Sequence, residues 1–165
     1  MLKIFLFRVV LILTLLVSLT FIYYDFKEHN INTKLQTVKF NHESIIRLFN
    51  SSMHICHLGE KEIQLKISDL NNKLNKISCS IIENDTAEII EKLIFYLNSE
   101  NFKNPYFINS EAFHTGLEND EQKIGSTKII INENRIIVKS MYYNDKEKIQ
   151  QFRNSITDKR FANSE

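Results

Sequence analysis

The chain has 165 residues, with 21 Lys or Arg against 20 Asp or Glu and a formal net charge of +1. That balance gives no basic surface for nucleic acid. An apolar fraction of 43% excludes a disordered polypeptide.

The first element is a run from Ile4 to Tyr24, interrupted only by Arg8, Thr14, Ser18 and Thr20. At 1.5 Å per residue a helix of this length just spans a hydrocarbon core of roughly 30 Å. Lys3, Arg8 and the α-amino group flank it on the N-terminal side, and Asp25 opens the other flank. The positive-inside rule then predicts a cytoplasmic N-terminus and an exported remainder. A cleavable export signal needs small residues before the cut, but the first Gly is Gly59 and the first Ala is Ala87. An uncleaved anchor is therefore expected over residues 1–24. The expected location is the inner membrane, single-pass, with the head in the periplasm or outside the cell. The roughly 140 residues that follow suffice for one small domain. It is expected over 25–158, with a frayed tail at 159–165.

No Gly or Pro occurs from Met1 to Leu58, so nothing breaks a helix there. Beyond the anchor, Ile31, Leu35, Val38, Ile45 and Phe49 recur at steps of 4-3-7-4, the stripe of an amphipathic helix. His42 occupies the position that the step of seven skips. One helix from about residue 4 to about residue 54 is predicted, with these five residues as its packing face. The stretch "CHLGE" at 56–60 ends it.

Ile63, Ile67, Leu70, Leu74 and Ile77 then follow at helical spacing, although the alternation Ile63, Leu65, Ile67 also fits a short strand. "NDTAEIIEKLIFYLNSE" predicts a clearer helix, with Asp85 as cap, Glu88 completing a capping box, and Ile89, Leu93 and Leu97 on one face. Asn104, Pro105 and Tyr106 predict a turn at the only proline. Residues 108–126 read as loop. "STKIIINENRIIVKSMYY" predicts a β-hairpin turning near Glu133 and Asn134. Ile149, Phe152 and Ile156 suggest a short closing helix. The predicted class is α+β: a long N-terminal helix packed by a small head with two further helices and a C-terminal antiparallel hairpin.

The two cysteines, Cys56 and Cys79, both follow the anchor. In an oxidising compartment they predict one disulfide. "HICH" also places His54, Cys56 and His57 close together, but H-x-C-H is no zinc spacing, and a disulfide would consume both sulfurs. His114 with Glu111, Glu118, Asp120 and Glu121 does not match a calcium loop and reads as a solvated acidic loop. Neither a P-loop nor a G-x-S-x-G or H-E-x-x-H motif occurs, so no catalytic residue, metal or cofactor is expected.

The order of apolar helix, amphipathic continuation, disulfide-tied connection and β-hairpin resembles a type IV pilin or a type II secretion pseudopilin. The local likeness lies in "YLNSENFKNPYF" and "IGSTKIIINENRIIVKSMYY". Some pilin-like heads share such an Asn-Pro-Tyr turn leading into a Gly-started hairpin. The resemblance implies a structural, non-catalytic subunit of a filament or secretion apparatus, with the membrane and other pilin-like or envelope proteins as partners. The chain departs from the family in having no Gly or Ala before Gly59 and no Glu before Glu28. The family's peptidase cut and its glutamate register are therefore not implied. The alternative expectation is a membrane-tethered extracytoplasmic binding or sensory module, with loop 108–126 as its variable surface.

Overall fold

A computed structural model describes residues 2–66, 74–80, 86–100, 102–132, 135–144, 146 and 148–156. The helix α1 runs unbroken over Leu2–His57, about 84 Å at helical rise. It stops at Gly59, whose φ of +89° lies in the left-handed region open to glycine. The amides of Leu58 and Gly59 turn back to the carbonyls of His54 and Cys56.

Two short strands follow, β1 over Glu62–Lys66 and β2 over Leu74–Ser78, paired antiparallel with Ile63 opposite Ile77. This corrects the helix expected through Ile63, Ile67, Leu70, Leu74 and Ile77. The alternation is what the fold obeys: Ile63 and Leu65 are buried while Glu62 and Gln64 face water. Ile67 and Leu70 lie outside the described residues.

The second helix, α2, spans Thr86–Ser99 and buries Ile89, Ile90, Leu93 and Leu97 as its spacing required. The expected cap Asp85 lies outside the described residues. Among those residues α2 is the head's only further helix of any length.

The C-terminal part forms a four-stranded sheet in the order β3-β4-β5-β6: Phe113–Thr115, Thr127–Asn132, Arg135–Tyr143 and Ile149–Ile156. The hairpin β4–β5 is the one expected, closed by the pair Asn132 and Arg135. Its turn at Glu133 and Asn134 lies outside the described residues, as does the expected tail at 159–165. Strand β3 adds to β4 in parallel from within the expected loop. Strand β6 replaces the short helix expected from Ile149, Phe152 and Ile156. It pairs along β5 with Phe152 opposite Ser140 and Ile156 opposite Ile136. A nine-residue strand presents backbone groups on both edges, and β6 satisfies those that β4 leaves open.

One face of the sheet packs on the C-terminal half of α1. The core gathers Ile45, Phe49 and Met53 of α1 with Ile89 and Leu93 of α2, Phe113 of β3 and Ile129, Ile136 and Val138 of the sheet.

Candidate functional site

Two features of α1 stand out: an apolar half that touches nothing, and a second half sealed to the sheet through polar groups. From Leu6 to Phe26 every large apolar side chain is exposed, as in Leu15 at 55% and Phe21 at 66%. Among the described residues one helix is long and apolar enough to cross a membrane. Its most apolar window has mean hydropathy 2.3 and no buried residue. The few hydroxyls there are already satisfied. Thr14 donates to the Leu11 carbonyl, Ser18 to Thr14 and Thr20 to Val17, at 2.7–2.9 Å. A span with its polar groups bonded internally suits lipid. Phe21, Tyr23, Tyr24 and Phe26 cluster at its C-terminal end, where aromatic rings favour a membrane interface.

The five residues expected to form the packing face differ in burial. Val38, Ile45 and Phe49 are buried, while Ile31 and Leu35, nearer the span, are half-buried. Between them His42 is buried in a chain of side-chain hydrogen bonds. Asn154 Oδ1 can only accept, so it takes the Nε2 proton of His42 at 2.7 Å. His42 Nδ1 then accepts from the Ser140 hydroxyl at 2.8 Å, and Ser140 Oγ accepts from Thr127 at 2.7 Å. Burial holds the imidazole below its usual pKa, partly offset by the Asn154 bond and by Glu43. Superficially this is a Ser–His–Asn array. Yet Ser140 and Thr127 are fully buried and bonded to each other, which leaves the hydroxyl no path to a substrate. The chain is a polar seam joining α1, β4, β5 and β6.

The Asn104-Pro105-Tyr106 turn forms a second polar joint. Asn104 is fully buried. Its Oδ1 accepts from the amides of Tyr106 and Phe107 at 2.9 and 3.1 Å, and its Nδ2 donates to the Ile124 carbonyl at 2.9 Å. Gly125, at φ +83°, closes over it. A Cβ there would collide with Asn104 Oδ1 and lie 2.6 Å from Tyr106 Cδ2. The Gly125 amide in turn donates to the Met141 carbonyl at 2.7 Å. Thus the turn and the strand entry that the sequence sets 20 residues apart are one unit.

Cys56 and Cys79 are disulfide-bonded, tying the end of α1 to the end of β2. His54 and His57 stay exposed. In the acidic segment, Glu118 pairs with Arg153 at 2.8 Å and Asp120 accepts the Leu117 amide at 2.6 Å. His114 belongs to β3 and is held below its usual pKa by burial and then by Lys128. Sequence reasoning missed Lys128, which is fully buried in an apolar strand. Its ammonium donates to the carbonyls of Leu117 and Asp120 at 2.9 and 2.7 Å, fastening the loop to the sheet.

Two shallow grooves flank the exposed Phe95 on α2, of about 300 and 550 Å³. The first lies against Leu65, Lys76 and Ile77, the second against Glu111, Phe113 and His114. The second groove does not open the edge of β3 to a partner strand. The Asn98 side-chain amide both donates to the Phe113 carbonyl and accepts from its amide, standing in for a neighbouring strand. Compared with known proteins, the chain matches no family model, no curated protein and no solved structure.

Proposed function

We propose that the chain is a pilin-like structural subunit anchored in the bacterial inner membrane and acting in assembly of a filament or secretion apparatus. The observation that carries this reading is the division of labour along one rod. The apolar half of α1 is wholly exposed, and the other half holds a sheet on one side. A helix of this kind can sit in a bilayer as a monomer and meet the helices of other copies along the same surface. Its orientation follows the charge flanks, with the N-terminus cytoplasmic and the head periplasmic or extracellular. The test is shearing and cross-linking of native cells. Recovery of this chain in sheared filaments, cross-linked to itself or to related subunits through Leu11–Ile22 positions, supports the reading. A chain found only as a membrane monomer refutes it.

The grooves beside Phe95 favour a second reading, a tethered extracytoplasmic binding module. They join a solvent-exposed aromatic ring to the carboxylates of Glu88, Glu91 and Glu111. Under this reading Phe95→Ser abolishes partner capture without altering the fold.

A further inference from the structure

The end of the head nearest the membrane span carries apolar side chains that the fold does not use. Heights along α1 locate it. His42 meets Ser140 of β5, and farther down the same helix Lys34 lies over the Tyr106 ring, 5.2 Å from its centre. Tyr106 in turn packs edge-on against Tyr143, and its hydroxyl accepts the Tyr143 amide at 3.3 Å. Strand β5 therefore runs from Ser140 to Tyr143 toward the span. The turn that follows, closed by Asn144 on the amides of Lys146 and Lys148, lies at the head's base.

The 103–111 segment dips to the same level. It leaves α1 high up, where Asn41 donates to the Lys103 carbonyl at 3.1 Å, and returns where Lys103 bridges Glu111. Between these points it descends to Tyr106 and reverses at Phe107, whose carbonyl accepts the Ser110 amide. The tip holds Phe107, 51% exposed, and Ile108, 77% exposed. Ile149, opposite Tyr143 on β6, is also exposed at this end of the sheet.

Lys34 stands about 15 Å above Tyr24 at helical rise, and the headgroup layer occupies roughly the first 5–7 Å of that. About 8–10 Å remains; the tilt of about 20° ordinary for a single span removes about 3–4 Å of it for a point about 10 Å off the axis, and the reach of the 107–110 turn below Tyr106 must supply the rest. The sequence of the intervening helix and of residues 144–148 mixes its charges: Lys27, Lys34, Lys146 and Lys148 with Asp25, Glu28, Asp145 and Glu147. Apolar contact rather than net charge is what the surface offers.

We propose that Phe107 and Ile108 form a second membrane contact, entering the headgroup layer of the bilayer that α1 spans and leaning the head on that surface. This rests on the anchored reading of α1. It goes beyond the subunit role by assigning a lipid-facing side to the head before any assembly.

The chain contains no tryptophan, so single-tryptophan variants report position directly. The full chain would be placed in vesicles of phosphatidylcholine with a minor share of phosphatidylglycerol. The lipids would be brominated either near the headgroup end of the acyl chain or near its centre. Three variants are compared: Leu15→Trp in the span, Ile108→Trp at the tip, and Leu58→Trp, exposed at the opposite end of the head. The expected result is deep quenching of Leu15→Trp, shallow quenching with a blue-shifted emission for Ile108→Trp, and neither for Leu58→Trp. If Leu15→Trp is quenched while Ile108→Trp emits as in water, the second contact is overturned and the anchor stands. If Leu15→Trp is itself unquenched, the anchored reading fails and this inference with it. Equal shallow quenching of Ile108→Trp and Leu58→Trp also overturns it, because the head then has no preferred base.

Discussion

Replacing Gly125 by Ala tests whether the Asn104 turn is a joint that holds the head together. Two costs add. A Cβ in the left-handed region costs about 1–2 kcal/mol. The same Cβ also evicts the Asn104 side chain. That breaks bonds to Tyr106, Phe107 and Ile124 in a fully buried site, at about 1 kcal/mol each with partial recovery by water, or about 2–3 kcal/mol. The expected loss is about 3–5 kcal/mol, much of the stability of a small domain. Gly59 supplies the control. Its φ is +89°, yet nothing lies within 4 Å of an added Cβ, so Gly59→Ala incurs the backbone cost alone, about 1–2 kcal/mol. Urea unfolding of the detergent-solubilised chain, followed by fluorescence of its six tyrosines, gives both numbers. In an Asn104→Ala background the Gly125 substitution should cost less than in the native chain, because the coupling to Asn104 is gone, but more than at Gly59, because the Tyr106 ring still lies 2.6 Å from the added Cβ. Equal losses at Gly125 and Gly59 in the native background would refute the joint.

Three further outcomes follow from the packing. Val38→Asp buries a charge without a partner at a fully buried position and should destabilise the head by about 3 kcal/mol or more. Leu35→Asp, at a half-buried position, should cost less, and thermal melts rank the two. His42 is held below its usual pKa of 6.5, so below that pH the unfolded chain takes up a proton that the folded one refuses. Its contribution to stability is therefore complete above pH 6.5 and declines as pH falls toward the lower folded value. His42→Gln should flatten that decline in urea midpoints, leaving the part that His114, also held below its usual pKa by burial, contributes. Replacing Cys56 and Cys79 by Ser frees a loop of 23 residues' separation and should cost about 3 kcal/mol, read as a lower urea midpoint.

The long helix was legible because no Gly or Pro occurs in the chain's first 58 residues and its apolar stripe keeps helical time. The disulfide and the β4–β5 hairpin were legible too, from two cysteines and two β-branched runs. What misled was polar chemistry turned inward. In β6, Phe152, Asn154 and Ile156 all face α1, but Asn154 is there to accept from His42. That one asparagine hid an alternation and left Ile149, Phe152 and Ile156 looking helical. The same pair explains the gap in the α1 stripe, since His42 fills an inward position with a hydrogen-bonding ring. In β1 the tie between periods of two and of three to four was broken by pairing with β2, which no local pattern records. Lys128 was unreadable for a related reason: its burial depends on carbonyls from a loop eight and eleven residues away.

Because α1 is a single rod without a hinge, it fixes a phase as well as a length. Each residue advances the helix by 100° and 1.5 Å, so the azimuth at which the sheet hangs is locked to the azimuth of every side chain in the apolar half. A neighbour that grips Leu15 from one side meets the head at one set angle and no other. Adding a single residue between Asp25 and Ile31 would raise the head by only about 1.5 Å, yet swing it by about 100° around the axis. Any lattice or bilayer surface that depends on which way the head faces would then be lost with every contact inside it intact.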